Sequence, residues 1–226
     1  MSSDYRTLNV TRSADGFVAT VELCRPEALN AMNTAMGEDL LRCFEGFQWD
    51  RTMRAVVFTG AGDRAFSVGG DLKEREGMSD ETWRAQHQIF EEATFRVLRC
   101  PVPVIAAVEG FALGGGCELA TASDFIVAGE TAVFAVPEVT RGIFPGVGGT
   151  QYLPRIVGGP LAREMIFTGR RVPAQEAKAI AWGSETDLWT GLTLSIEAYN
   201  NTVTTEDRLE GVRAFNEKRK PRFQGR

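Results

Sequence analysis

The chain has 226 residues, 43% of them hydrophobic and 24% charged, which is enough to bury one core of an ordinary α/β protein. A net charge of −5 argues against broad attraction to nucleic acid, and no segment approaches the roughly 18 uninterrupted apolar residues of a membrane span. The single histidine, His87, rules out a multi-histidine metal site, and Cys24, Cys43, Cys100 and Cys117 are too scattered for a zinc knuckle or a redox pair, so they are expected as buried free thiols.

Taken in order, Leu8–Thr11 and Phe17–Leu23 are β-rich runs separated by Asp15-Gly16, the signature of a hairpin. No apolar leader with a cleavage site precedes them, so a cytosolic protein is expected. From Asn33, apolar residues at Met36, Leu40, Leu41, Phe44 and Phe47 recur at helical spacing, with Asn33 as the cap. A strand over 54–60 ends in glycine and feeds a loop from Ala65 to Asp71 that contains Gly69-Gly70. Residues 79–99 form the next helix, begun by Ser79 and stopped by Pro101.

The strand Val104–Val108 runs through Glu109-Gly110-Phe111 into Gly114-Gly115-Gly116 and a helix from about Gly115 to Ser123. Glycines at the start of a helix expose amide N–H groups at the positive end of its dipole, which suits an oxygen gaining negative charge. Short strands at 125–128 and 133–136 follow, then Pro145-Gly146-Val147-Gly148-Gly149-Thr150 leads into a helix carrying Tyr152, Leu153, Ile156 and Val157. The core is expected to be complete near residue 160, with helices at 161–167, 174–182, 188–199 and 205–219.

Two carboxylates stand out. Glu118 closes the glycine triplet, and Glu138 closes Phe134-Ala135-Val136-Pro137. With histidine so scarce, acid/base work falls to such residues. His87 and Cys117 are read as a helix-surface and a packing residue, and the basic end Lys218–Arg222 as a solvated tail.

Six stretches in this order resemble the crotonase, or enoyl-CoA hydratase/isomerase, family: Arg25–Met32, Ala65–Lys73, Gly110–Ala120, Pro137-Glu138, Pro145–Gln151 and Glu210–Phe215. The resemblance implies an α/β fold, a crotonase-like spiral of ββα units over residues 1–160 that carries the active site, with a helical C-terminal trimerisation region over 161–226. It implies an acyl-CoA substrate, no separate cofactor and no metal, and assembly as a homotrimer or a pair of trimers. By the same likeness Gly70 and Gly115 match the amides that hold the thioester oxygen, and Glu118 and Glu138 the acid/base pair of the hydratases. Arg25, Ala28, Asp71, Leu72 and Lys73 resemble the substrate and CoA site, and Phe215 and Lys218 match positions that in relatives close the acyl or CoA pocket of a neighbouring subunit.

Retention of both glutamates favours enoyl-CoA hydration. The alternatives are enoyl-CoA double-bond isomerisation and a noncatalytic acyl-CoA-binding or RNA-associated assembly protein. Relatives are some 30 or more residues longer, and the shortfall falls after Ala181-Trp182-Gly183. Of a true deletion and a missing segment over which the numbering closes, the second is preferred, because losing a packed helix would expose apolar surface.

Overall fold

A computed structural model of the chain describes residues 5–177 and, beyond them, residues 206, 209, 210, 213, 214, 217, 219, 222 and 224. Leu8–Arg12 (β1) and Val18–Leu23 (β2) form the expected antiparallel hairpin, in register from Leu8 opposite Leu23 to Arg12 opposite Ala19. Helix α1, Thr34–Phe47, starts where Asn33 accepts the Met36 amide at 3.0 Å, and it buries Met36, Leu40, Phe44 and Phe47 on one face.

After the hairpin the chain repeats one device three times. A strand joins a first sheet, a short strand joins a second, and a helical turn follows. The first strands are Ala55–Gly60 (β3), Val104–Val108 (β5) and Phe125–Ala128 (β7); they extend the hairpin into a five-stranded sheet in the order β1-β2-β3-β5-β7, parallel from β2 onward. Its middle row runs Val21, Phe58, Ala106, Ile126 across four strands. The second strands are Ala65–Ser67 (β4), Phe111–Leu113 (β6) and Val133–Ala135 (β8), also parallel, and Val172–Pro173 (β9) closes their sheet antiparallel to β8. The sequence reading treated 65–71 and 109–111 as loops, because three residues are too few for a period of two to register.

The helical turns that end the three repeats are Leu72–Arg75 (α2), Gly115–Thr121 (α4) and a 3-10 turn over Pro137–Arg141. Between the first and second repeats lies α3, Asp80–Leu98, whose cap Ser79 accepts the Thr82 amide at 3.1 Å. This succession of ββ-helix turns is the expected spiral.

Phe44, Phe58 and Phe66 tie the layers together edge to face, with centroids 5.7 and 5.3 Å apart from α1 through β3 to β4. Gly149–Val157 (α5) and Gly159–Thr168 (α6) complete the core, and Leu161, Ala162, Met165 and Val172 are all buried in it. The core therefore runs past residue 160, and the first compact unit ends at Ala177. Cys43 and Cys117 are buried as expected, whereas Cys24 is exposed and Cys100 half-buried.

In the second unit, Lys178–Arg226, residues 206, 209, 210, 213 and 214 are helical, and Arg219 bridges Glu210 and Glu217. Phe215, Lys218, the helix expected at 188–199 and the Gly183-Ser184 junction lie outside the described residues. Among the described residues no helix is long and apolar enough to cross a membrane.

Gly46 lies exposed in α1 with nothing within 4 Å of where a Cβ would stand. Gly46→Ala is expected to stabilise the protein by about 0.5–1 kcal/mol, read as a higher urea midpoint at unchanged slope, because alanine leaves less backbone entropy to lose in a helix.

Candidate active site

The three repeats end side by side, so residues far apart in sequence meet at equivalent places in successive turns. They open on one cleft of about 690 Å³, whose wall includes Gly70, Gly115, Glu118 and Glu138.

In the first turn, Met32 pairs with Gly70 through a parallel bridge: the Met32 amide donates to Gly69 O at 2.8 Å and the Asp71 amide to Met32 O at 2.9 Å. Because the residues flanking Gly70 carry that pairing, the Gly70 amide itself faces away from Met32's strand. In the second turn, Gly114 adopts φ 54° and ψ −128°, a conformation open to glycine, and this reverses the chain so that α4 begins against the first turn. A methyl on Gly115 would stand 3.9 Å from the Gly70 nitrogen and 2.6 Å from Cε of Met32, so the two glycines face each other across the floor of the cleft. Among the described residues neither amide donates a hydrogen bond to the protein.

Glu118 lies one turn into α4 and is 2% exposed. Its Oε1 accepts two amides, from Val147 at 2.9 Å and Gly149 at 2.7 Å, and so ties α4 to the loop that opens α5. Burial pushes its pKa up to about 7, with the charge on Glu138 adding to the rise and the two amides opposing it.

Glu138, in the third turn, is also buried, and burial raises its pKa against the pull of its own amide. Its Oε2 is buried with no hydrogen-bond partner. Its Oε1 would be 3.0 Å from a methyl on Gly114, so this carboxyl sits directly over the glycine triplet. Two adjacent amides can accept an oxygen that gains charge, and two buried carboxyls held apart in their bonding can give and take protons.

Of the other expected binding residues, Arg25, Ala28, Asp71, Leu72 and Lys73 line the cleft, and the charges of Arg25 and Asp71 are spent on each other. Arg25 Nη1 donates to Asp71 Oδ2 at 2.9 Å and to Ala31 O at 2.6 Å. Burial would raise the Asp71 carboxyl, but Arg25 and the amides of Glu74 and Lys73 outweigh it and hold the pKa below the usual range. Ala28 lies in a segment fixed by buried Asn30, whose Nδ2 donates to Ala61 O and Ala65 O and whose Oδ1 accepts the Arg25 amide. Leu72 and Lys73 are exposed at the rim.

Sequence reasoning missed Arg75, Arg141 and the Val147 and Gly149 amides, and it placed His87 on the surface. His87 lines the cleft, packed on Gly146 with Nε2 3.2 Å from Glu91 Oε1. The glycine-rich run 146–149 was a usable signal, since the same reasoning applied to 114–116 would have flagged its amides. Burial raises the Cys117 thiol well above its usual pKa, which keeps it protonated and out of any nucleophilic role.

Comparison with known proteins gives a consistent picture. The enoyl-CoA hydratase/isomerase family profile matches residues 13–183. The short-chain-enoyl-CoA hydratase of Clostridium acetobutylicum is 36% identical over 251 aligned positions, covering 94% of this chain and 96% of its own. The mitochondrial enoyl-CoA hydratase domain-containing protein 2 of Mus musculus is 36% identical, covering 92% and 85%. The crystal structure of an enoyl-CoA hydratase from Bacillus anthracis superposes with a TM-score of 0.73 at 36% identity, covering 98% of this chain and 100% of that one. An alignment of 251 positions exceeds the 226 residues available, so this chain is shorter than the Clostridium enzyme within the aligned span. The profile match stops at Gly183, the point after which the sequence reading placed the shortfall.

Proposed function

The chain belongs to the enoyl-CoA hydratase/isomerase family and has the crotonase fold, and from that membership we propose that it adds water across the 2,3 double bond of a 2-enoyl-CoA thioester. The observation that carries this reading is the pairing of two buried, differently bonded carboxyls with two neighbouring amides at one cleft.

In the proposed reaction the Gly70 and Gly115 amides hold the thioester oxygen. They stabilise the enolate that forms as the double bond is attacked, and removing one such donor typically costs about 3 kcal/mol. Glu118 is the base. Its two amide donors favour the ionised form, so it can take a proton from water as the water oxygen bonds to C3. Glu138 is the acid: with no donor on Oε2, that oxygen is suited to carry the proton delivered to C2 as the enolate collapses. One water is consumed, and the proton gained by Glu118 returns to Glu138 through solvent.

The test is loss of the conjugated enoyl-thioester absorbance with purified protein. Turnover is expected, with kcat/KM rising with pH along a limb centred near 7 as the Glu118 carboxyl ionises, and falling again where the remaining proton of the pair is lost. No turnover across short, medium and aromatic acyl chains would sink the proposal. Consumption of 3-enoyl substrates, with tolerance to loss of one glutamate, would favour isomerisation in its place.

A further inference from the structure

Arg75 occupies a place in the cleft that the hydration chemistry does not use. It is the last residue of α2, five positions after Gly70, and it is half-buried. Its Nε donates to Gln86 Oε1 at 2.7 Å, and Gln86, buried in α3, is held by its own donations to Thr34 Oγ1 at 2.8 Å and Glu74 Oε2 at 2.7 Å. The guanidinium lies over the Trp83 ring, 4.4 Å from its centroid, and 5.4 Å from that of Phe90. These contacts fix both its plane and its direction.

They leave the terminal nitrogens over. Among the described residues neither Nη makes a hydrogen bond or an ion pair. A methyl on Gly70 would stand 3.3 Å from Nη1, which places the guanidinium beside the amide proposed to hold the thioester. The nearby acids are otherwise engaged: Glu74 Oε2 accepts from the Thr34 amide and Gln86, and Asp71 is paired with Arg25. Glu74 attracts the guanidinium without touching it, and burial outweighs that attraction; a rigid, partly desolvated guanidinium whose outer N–H groups stay open is matched to a carboxylate.

We propose that Arg75 selects 2-enoyl-CoA thioesters whose acyl chain ends in a second carboxylate. The inference rests on the reading that Gly70 and Gly115 hold the thioester carbonyl. From that anchor, a carboxylate at the fifth or sixth carbon comes within reach of the guanidinium, whereas a purely hydrocarbon chain leaves the cation facing methylene groups. Arg75 is then a specificity residue whose contact is with the substrate's far end.

The experiment compares pent-2-enoyl-CoA with the CoA monothioesters of pent-2-enedioic and hex-2-enedioic acid, using the whole protein. One of the diacids is expected to exceed the neutral substrate by about tenfold or more in kcat/KM. In Arg75→Met, which keeps an apolar stem over Trp83, the diacid-to-neutral ratio is expected to fall by about 10- to 100-fold, and Arg75→Lys should recover part of it. Equal kcat/KM for diacid and neutral substrates in the wild-type protein, or an unchanged ratio in Arg75→Met, overturns the inference; the wild-type comparison decides alone if the variant does not fold. Should the wild-type protein turn over none of the three, the hydration reading fails separately, and calorimetry of pentanedioyl-CoA against pentanoyl-CoA takes over. Tighter binding of the diacid, lost in Arg75→Met, sustains the selection, and equal affinities refute it.

Discussion

Replacing Glu118 with glutamine is expected to lower kcat on the best enoyl-CoA by about 10³-fold while leaving the protein more stable above pH 7 than the wild type. The kinetic half follows from its proposed role, since a general base contributes typically 10²–10⁴ and glutamine cannot take the proton. The stability half follows from linkage. Glu118 has its pKa raised by burial from 4.5 to about 7, so the unfolded chain ionises first as pH rises. Stability is fully present below pH 4.5, falls between 4.5 and about 7, and above that is reduced by about 3 kcal/mol.

Glutamine cannot ionise and keeps an oxygen to accept the Val147 and Gly149 amides, so Glu118→Gln escapes that loss. Urea unfolding at pH 5 and pH 8.5 separates the two effects: the variant's advantage should appear at the higher pH and shrink at the lower. A variant that loses less than tenfold in kcat would remove Glu118 from the role of base. One that loses activity and stability together at both pH values would make it a structural tie between α4 and the 147–149 loop.

The long elements were legible in the sequence. In α1 and α3, caps and apolar spacing agree over 14 and 19 residues, so local preference and burial point to the same boundaries. The hairpin followed from one turn dipeptide. In the second sheet only β8 was legible, as the strand expected at 133–136; β4 and β6 were not, because they are three residues long, lie in glycine-rich segments and are fixed by lateral pairing with their neighbours. Glu118 and Glu138 were legible as a pair through resemblance, but their difference was not. It arises from two amides of a loop some thirty residues downstream of Glu118 and from the isolation of one oxygen of Glu138. Arg75 was hidden because nothing in its neighbourhood of sequence marks it; its orientation is set by Gln86 and Trp83, residues of a different helix.

Gly116→Ala is expected to damage fold and site together, at a cost of about 3 kcal/mol or more in stability and about 10²-fold in kcat/KM. The sequence presents Gly114-Gly115-Gly116 as one feature, three unencumbered amides. The structure divides the work among them: Gly114 turns the chain at positive φ, Gly115 faces the Gly70 amide, and Gly116 lets α4 lie against β4. A methyl at 116 would stand 2.2 Å from Ser67 O and 2.7 Å from Ser67 C, and these are backbone atoms of β4 that no side-chain rotation can move aside. The strand is held in place by its pairing with β6, so the helix must shift instead. That displacement carries Gly115 and Glu118 with it, and a misplacement on the order of 1 Å in such groups costs about 10²-fold. The comparison that isolates this cause is Gly46→Ala, the same added methyl in open space, which should gain stability and keep full turnover. If Gly116→Ala unfolds at the wild-type urea concentration and keeps wild-type kcat/KM, α4 does not rest on β4, and the placement of both Gly115 and Glu118 at the cleft loses its physical basis.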